Sequence, residues 1–337
     1  MNDKELAAYL DRIGAGRPAK ADTAALRSLH RAHLLTVPFE NLSIHLGEPI
    51  SLEPGELIDK IVTRRRGGFC YELNGAFALL LGALGFDVRL LAARVFGDGR
   101  LGPPFDHLAL LVRTTGRDGL WLADVGFGSH SDFPLRLGER GQQDDPAGSF
   151  RLAEADAGYG LGTGPLAGTG PLAGEPAGPL AGEPAGPLAG EPAGPLAGEP
   201  PGPLAGEPAG PLAGEPPGPL AGEPPGPLAG EPAGDIDVIR DGQPQYQIEL
   251  RERALADFGP TCWWQQTSPE SHFTRTTICS RLTADGRISI SGRTLIRTAD
   301  GKRTEEELPD AAAVLAAYRD HFGILLDQVP VVAADAG

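Results

Sequence analysis

Cys70, His107 and Asp124 lie in chain order, in settings that would make them a nucleophile, its proton acceptor and an orienting acid. Cys70 stands in Arg66-Gly67-Gly68-Phe69-Cys70-Tyr71-Glu72, behind a double-glycine turn and the arginines Arg64, Arg65 and Arg66. A helix opens at this point. Leu73, Phe77, Leu80, Leu81 and Leu84 recur at helical spacing, and Gly85 stops the pattern. A thiol in a first helical turn faces unpaired N–H groups and the positive end of the helix dipole. Both favour thiolate, so the position predicts a pKa below the free value of about 8.5. A buried structural thiol is the usual alternative, and on this segment both readings stay open. His107 follows Pro103-Pro104-Phe105-Asp106 and opens the apolar run Leu108 to Val112, which reads as a buried strand. Asp124 ends the strand Leu120-Trp121-Leu122-Ala123 and begins Asp124-Val125-Gly126-Phe127-Gly128. A cysteine nucleophile needs an imidazole to hold its proton, and the imidazole needs an acceptor to fix its tautomer. Taken singly, His107 reads as a core histidine and Asp124 as a turn residue.

The elements that must position these residues follow from periodicity. Residues 1–86 read as helical. Asn2 caps a first helix with Glu5 at the reciprocal position and Leu6, Leu10 and Ile13 on one face. Asp22 or Thr23 caps a second, carrying Leu26, Leu29 and Leu34, which Pro38 ends; Pro54 starts a third, and the Cys70 helix is the fourth. From Asp87 the pattern turns to strands: Val88–Phe96, Leu108–Val112, Leu120–Val125 and Gln245–Leu250. Ile278–Leu282 and Arg287–Arg297 predict a hairpin around Asp285-Gly286, and a last helix is expected near Asp310–Asp320, stopped at Gly323. The class is therefore α+β. The expected division is a helical part, 1–86, carrying the nucleophile; a β-region, 87–250, carrying His107 and Asp124; and a C-terminal hairpin and helix, 251–337.

Several segments together resemble the arylamine N-acetyltransferases. They are Val37-Pro38-Phe39-Glu40-Asn41-Leu42, Arg66 to Asn74, Leu84-Gly85-Phe86-Asp87-Val88, Ala93-Arg94-Val95, His107, Asp124 to Gly128 and Ser268-Pro269-Glu270-Ser271-His272-Phe273. The resemblance implies an N-terminal helical bundle, a central β-barrel-like region, a mixed α/β C-terminal part and a thiol-protease-like catalytic core. It implies ping-pong transfer of acetyl from acetyl-CoA through Cys70 to an arylamine, arylhydrazine or similar amine. His107 would be the base and Asp124 its support. Gly126, Phe127 and Gly128 would face the acyl donor, and Phe39, Val95 and Phe127 the amine. Arg66, Glu40 and Asn41 read as a buried support. An amide synthase of the same fold, closing a polyketide macrolactam, would use the same triad and is the alternative. A catalytically dead scaffold displaying the repeat is a third reading, which the intact triad disfavours.

Composition bounds the rest. From Gly170 to Ala233 the octapeptide Gly-Pro-Leu-Ala-Gly-Glu-Pro-(Ala or Pro) occurs eight times without a break, with a partial copy from Gly164. Each unit has one leucine and no aromatic or β-branched residue, too little to build a core, so 164–234 predicts a disordered, partly polyproline-II insert. The repeats hold eight glutamates and no cation, half of the net charge of −16. The chain thus lacks the basic face that nucleic acid requires. Cys70, Cys262 and Cys279 are far apart, without Cys-x-x-Cys, which argues against a metal site or disulfide framework and for a reducing compartment. No signal-like N-terminus and no membrane-length apolar run occur, so a cytoplasmic protein with no membrane partner is expected. Homo-oligomerisation stays open. Gly97-Asp98-Gly99-Arg100-Leu101-Gly102 fits a dinucleotide fingerprint but leads into Pro103-Pro104, so no helix N-terminus follows to hold a pyrophosphate.

Overall fold

A computed structural model describes residues 1–97, 99–115, 119–155 and 234–332. The described residues all belong to one unit of the chain, Met1–Gly162 with Pro227–Gly337. The octapeptide insert expected at 164–234 lies outside the described residues, apart from Gly234.

Helices α1 (Asp3–Arg12), α2 (Thr23–Thr36), α3 (Leu42–Leu46), α4 (Pro54–Ile58) and α5 (Cys70–Ala83) make up most of the N-terminal part. Their starts are set by the expected caps. Asn2 Oδ1 accepts from the Lys4 and Glu5 amides while Glu5 takes the Asn2 N–H, and Asp22 accepts from Ala25. Helix α4 runs on through one π-helical turn, Asp59–Thr63. Helix α5 is buried nearly all round: Leu73, Ala76, Phe77, Leu80 and Leu81 have no exposed surface. Burial of each large side chain contributes about 1.5–3 kcal/mol, so the helix that carries Cys70 is also the centre of the core.

The second layer is an antiparallel sheet. Its strands are β2 (Asp87–Gly97), β3 (Arg100–Leu101), β4 (His107–Arg113), β5 (Leu120–Ala123), β6 (Leu135–Arg136), β7 (Gln143–Asp145), β8 (Gly148–Glu154), β9 (Ile236–Arg240) and β10 (Gln243–Arg253). They follow the order β6-β5-β4-β2-β10-β9-β8-β7, with β3 on the end of β2. Within the false fingerprint Gly97 on β2 pairs with Arg100 on β3. The sheet curls until its edges meet: on β7 the Gln143 side chain accepts from the Arg136 N–H at 2.8 Å and donates to the Arg136 carbonyl at 3.1 Å on β6. One amide side chain supplies the missing ladder bonds of an edge strand, and the region is barrel-like, as expected.

Strand β4 explains its unbroken apolar run. Leu108, Leu110 and Val112 pack towards the helices with Phe77 and Leu80, while Ala109 and Leu111 face the barrel interior with Leu122, Phe150 and Tyr246. A strand buried on both faces shows no alternation.

The C-terminal part departs from the expected hairpin. It is a meander of β11 (Ile278–Leu282), β12 (Gly286–Ser291), β13 (Thr294–Ala299) and β14 (Lys302–Glu307), because the stretch read as one strand turns at Gly292-Arg293. Its other edge is β1 (Phe39–Glu40) from the helical part, with Phe39 opposite Ser280. Helices α6 (Gly259–Thr267) and α7 (His272–Arg275) precede the meander, and α8 (Ala311–Ala317) packs Val314 and Ala317 on it.

Candidate active site

The turn that delivers Cys70 depends on its two glycines. A Cβ at Gly67 would sit 1.9 Å from the Pro38 carbonyl oxygen. Without one, residues 67–68 lie flat along Pro38–Glu40, where the Glu40 amide donates to the Gly68 carbonyl at 2.8 Å. Below that turn Arg66 donates to both Glu40 oxygens, at 3.0 and 3.2 Å, and to Glu48 at 3.2 Å. Asn41 donates to the Phe273 and Thr276 carbonyls and accepts from Ile278, tying the same corner to the C-terminal part. Arg66, Glu40 and Asn41 therefore form the buried support read from the sequence. Glu72 closes the start of α5, accepting from the Phe69 amide at 3.2 Å, and is itself paired with Lys60 at 2.6 Å.

The acid and the imidazole meet because β4 begins where β5 ends. Antiparallel pairing, with Leu110 opposite Ala123, puts His107 and Asp124 at one end of the sheet. His107 Nε2 lies 2.7 Å from Asp124 Oδ2. A carboxylate only accepts, so Nε2 carries hydrogen, and in the neutral ring Nδ1 is the base. Asp124 Oδ1 accepts from Asn74 Nδ2 and from the Gly126 amide, each at 2.9 Å. Burial alone would raise this carboxyl, but the charge and hydrogen bond of His107, His130 and the Asn74 amide outweigh it and hold Asp124 well below the usual carboxylate range.

Cys70 adjoins this pair. A Cβ on Gly126 would stand 2.8 Å from the Cys70 Cα and 2.7 Å from Asn74 Nδ2, so only glycine lets the Asp124 turn rest on the start of α5. The expectation of an acidic thiol is not met: burial pushes Cys70 well above its ordinary value, the nearby backbone of Leu108, the residue after His107, opposes this only in part, and Asp106 and Asp124 add to it. Cys70 is 4%, His107 2% and Asp124 1% exposed. In so closed a site the helix end does not compensate for lost solvation, and the thiol is neutral until its proton has a place to go.

The sequence reading passed over Asn74, although it stood in the segment of resemblance. One turn beyond Cys70, it donates to the Leu108 carbonyl at 2.6 Å and to Asp124, and accepts from the Val125 amide at 2.9 Å. A single side chain thus joins the nucleophile's helix, the histidine's strand and the acid's turn. A fully polar residue four positions from the cysteine, on the buried face of its helix, was the available signal. Tyr71, next to Cys70, donates to the Phe105 carbonyl at 2.8 Å and steadies the turn before His107, where Phe105 has a φ of 61°.

The remaining expected residues surround this centre. Phe127 stands edge-on to His107 with ring centroids 5.2 Å apart. Phe39 lies against Gly128, whose Cβ position is 3.5 Å from the Phe39 ring. Val95, opposite Tyr246 on β10, packs on the same cluster as Phe127. Phe39, Val95, Phe127 and Gly128 are half-buried, whereas Gly126 is buried. A cleft of about 180 Å³ beside Arg27 and Trp121 and a groove of about 360 Å³ along Ala78, Gly82 and Leu255 include none of the triad.

The N-acetyltransferase family profile matches residues 22–331. The chain belongs to the arylamine N-acetyltransferase family. It is an acyltransferase of that family's fold. Among its relatives, the arylamine N-acetyltransferase of Mycobacterium tuberculosis is 29% identical over 327 residues, covering 95% of this chain and 89% of the relative. Among solved structures, the enzyme from Salmonella typhimurium has a TM-score of 0.69 at 25% identity, covering 98% of this chain and 94% of that one. The Mycobacterium marinum enzyme, solved in complex with CoA, has a TM-score of 0.66 at 27% identity and the same coverage. None of these is an amide synthase, and the macrolactam alternative is not favoured.

Proposed function

We propose that this arylamine N-acetyltransferase transfers acetyl from acetyl-CoA to an arylamine, arylhydrazine or similar small amine through an acetyl-Cys70 thioester. The observation that carries the assignment is the His107–Asp124 bond of 2.7 Å, made beside Cys70 by a turn that only Gly126 permits. Cys70 sulfur attacks the thioester carbonyl as its proton passes to His107 Nδ1. Asp124, ionised throughout, stabilises the imidazolium and keeps Nε2 protonated. His107 then gives its proton to the departing CoA thiol. In the second half the amine nitrogen attacks acetyl-Cys70, His107 takes a proton from it, and that proton passes on to the departing Cys70 sulfur, which restores the thiol and the neutral imidazole. Exchange of one thioester for another is nearly balanced in energy, which suits a thiol nucleophile. Aromatic amines suit the second step because they are largely unprotonated at neutral pH.

The neutral thiol fits this scheme, since a buried thiolate is formed only as one half of an ion pair with His107. Phe127 and Gly128 face the acyl donor from their half-buried side, and Gly126 supports the residue that receives the acyl group. Phe39, Val95 and Phe127 give the amine an apolar wall. Residues 1–86 supply the nucleophile, 87–250 the base and acid, and 251–337 the cover over Phe39 and Asn41. The chemistry needs no metal, and the protein works in a reducing, cytoplasmic setting. Steady-state kinetics with acetyl-CoA and an arylamine test the scheme: parallel double-reciprocal lines are expected, and intersecting lines would show a ternary complex without an acetyl-enzyme.

A further inference from the structure

We propose that His30 is a positioning residue of this active site: as a neutral imidazole protonated on Nδ1, it clamps both ends of the Asp124–Asp132 turn against helix α2. The inference rests on the acetyl-transfer reading of the site. His30 sits in the middle of α2 with no exposed surface. Its Nδ1 is 3.0 Å from the Asp132 carbonyl oxygen, which only accepts, so Nδ1 bears the hydrogen. Its Nε2 is 3.3 Å from the Asp124 amide, which only donates, so Nε2 is the acceptor. Two independent backbone groups thus demand one tautomer. The other tautomer would set N–H against N–H at Asp124 and a lone pair against the Asp132 oxygen; the imidazolium would fail at Asp124.

The same ring reaches the nucleophile's helix. It stands edge-on to Phe77, two turns beyond Cys70 on α5, with centroids 6.1 Å apart and an interplanar angle of 72°. His30 therefore touches the helix that carries Cys70 and the amide of the acid that orients His107. Its neighbour Arg31 pairs with the Asp132 carboxylate at 3.2 Å and holds the far end of the turn from the same helix. Between the two clamped ends lie Gly126, Phe127 and Gly128. Burial pushes the His30 pKa down against the opposing Asp124 and Asp145 charges, in keeping with a neutral ring. His33, one turn on, is an internal comparison. It is as fully buried and packs on Phe77 at 5.2 Å, but its Nε2 meets the Tyr9 hydroxyl at 3.1 Å, away from the turn.

The test is a rapid-mixing burst of CoA release from the full chain with acetyl-CoA and no amine, comparing wild type, His30→Phe and His33→Phe. Phenylalanine keeps a planar aromatic ring, slightly larger than the imidazole, and removes both hydrogen bonds. A misplaced Asp124 slows each active site, so His30→Phe is expected to keep the wild-type burst amplitude and lose rate on the order of 10–100-fold, while His33→Phe keeps the rate. A merely structural histidine would lower the amplitude, the fraction of folded sites, and leave the rate alone. That result, or a His30→Phe rate within about threefold of wild type, would overturn the proposal. If His30→Phe does not fold, ¹⁵N NMR of the wild-type imidazoles decides: His30 must show a protonated Nδ1 and a bare Nε2 at neutral pH, and a protonated Nε2 would overturn it. Absence of any burst from wild type would instead remove the acetyl-transfer reading, and the ¹⁵N measurement would still decide the clamp.

Discussion

Asp124 gives one oxygen to His107 and the other to Asn74 and the Gly126 amide. Asp124→Asn removes the charge that stabilises the imidazolium and lets His107 take the wrong tautomer. Acetyl transfer should fall by up to about 10⁴-fold, the loss seen when a triad acid is neutralised; a loss under about fivefold would mean that another acceptor serves His107. Asn74→Leu fills the same space and leaves the Leu108 carbonyl and Val125 amide without their side-chain partner. Its burst rate should drop on the order of 10–100-fold with the protein still folded, and an unchanged rate would show that Asn74 only fills volume. Hydrophobic patterns placed Cys70, His107 and Asp124 at the ends of their elements, but it was the resemblance of their segments to the family that singled them out as a set. The role of Asn74 was not legible, because its partners lie 34 to 51 residues along the chain and no periodicity announces them. Thiol acidity was misjudged for a related reason: the helix end is visible in the sequence, but the completeness of burial around it is not.

Many elements whose hydrophobic faces meet a core were readable, but β8 and β9, which bury Phe150, Leu152, Ile236 and Val238, were not, and neither were the edge strands. Strand β14 has all six side chains exposed, and Lys302-Arg303-Thr304-Glu305-Glu306-Glu307 offers no alternation to detect. Its place is set by backbone pairing to β13, with Thr294 opposite Glu307. Strand β1 is two residues long, and the double-glycine turn beside it needs its position fixed from below by the Arg66–Glu40 pair, whose side chains are 6% and 0% exposed. Arg66→Met would leave the buried Glu40 carboxylate without its guanidinium, held only by the Leu42 amide and the Lys60 charge, so urea unfolding should show a loss of up to about 3–5 kcal/mol. A loss below about 1 kcal/mol would mean that the pair is not a support. The insert belongs to this scale too. Glu154 on β8 pairs with Ile236 on β9, and the Ala155 amide donates to the Asp235 carbonyl at 2.9 Å, so the described ends on either side of the repeat are already zipped together. Deleting residues 170–233 should leave kcat and Tm close to the parent values, with loop closure changing by only on the order of 1 kcal/mol. A large fall in kcat would give the repeat a part in catalysis.

Across the whole molecule, three buried histidines lie with lowered pKa values around the core that joins helices to barrel. His130, ringed by Phe127, Phe150 and Tyr246, is pushed by burial from 6.5 to about 4. The unfolded chain takes up that proton first as pH falls. The stability that neutral His130 contributes is therefore complete above about pH 6.5 and lost by about pH 4, roughly 2–4 kcal/mol in all. Asp106 and Asp132, whose carboxyls are raised by burial, act in the opposite sense, so the comparison must be between variants. The unfolding free energy of His130→Phe should fall less steeply than the parent's between pH 6.5 and about 4, and parallel curves would show that His130 is not held neutral. The layer order and the helical part were visible in the sequence; the barrel closure through Gln143 was not, because it depends on one side chain standing in for a strand. The central claim is that Cys70 accepts acetyl, and intact-mass analysis after incubation with acetyl-CoA alone tests it most directly. The account predicts one added acetyl group, located on Cys70 by peptide mapping and absent from Cys70→Ala. No added acetyl, or the same added acetyl on the Cys70→Ala protein, would contradict it.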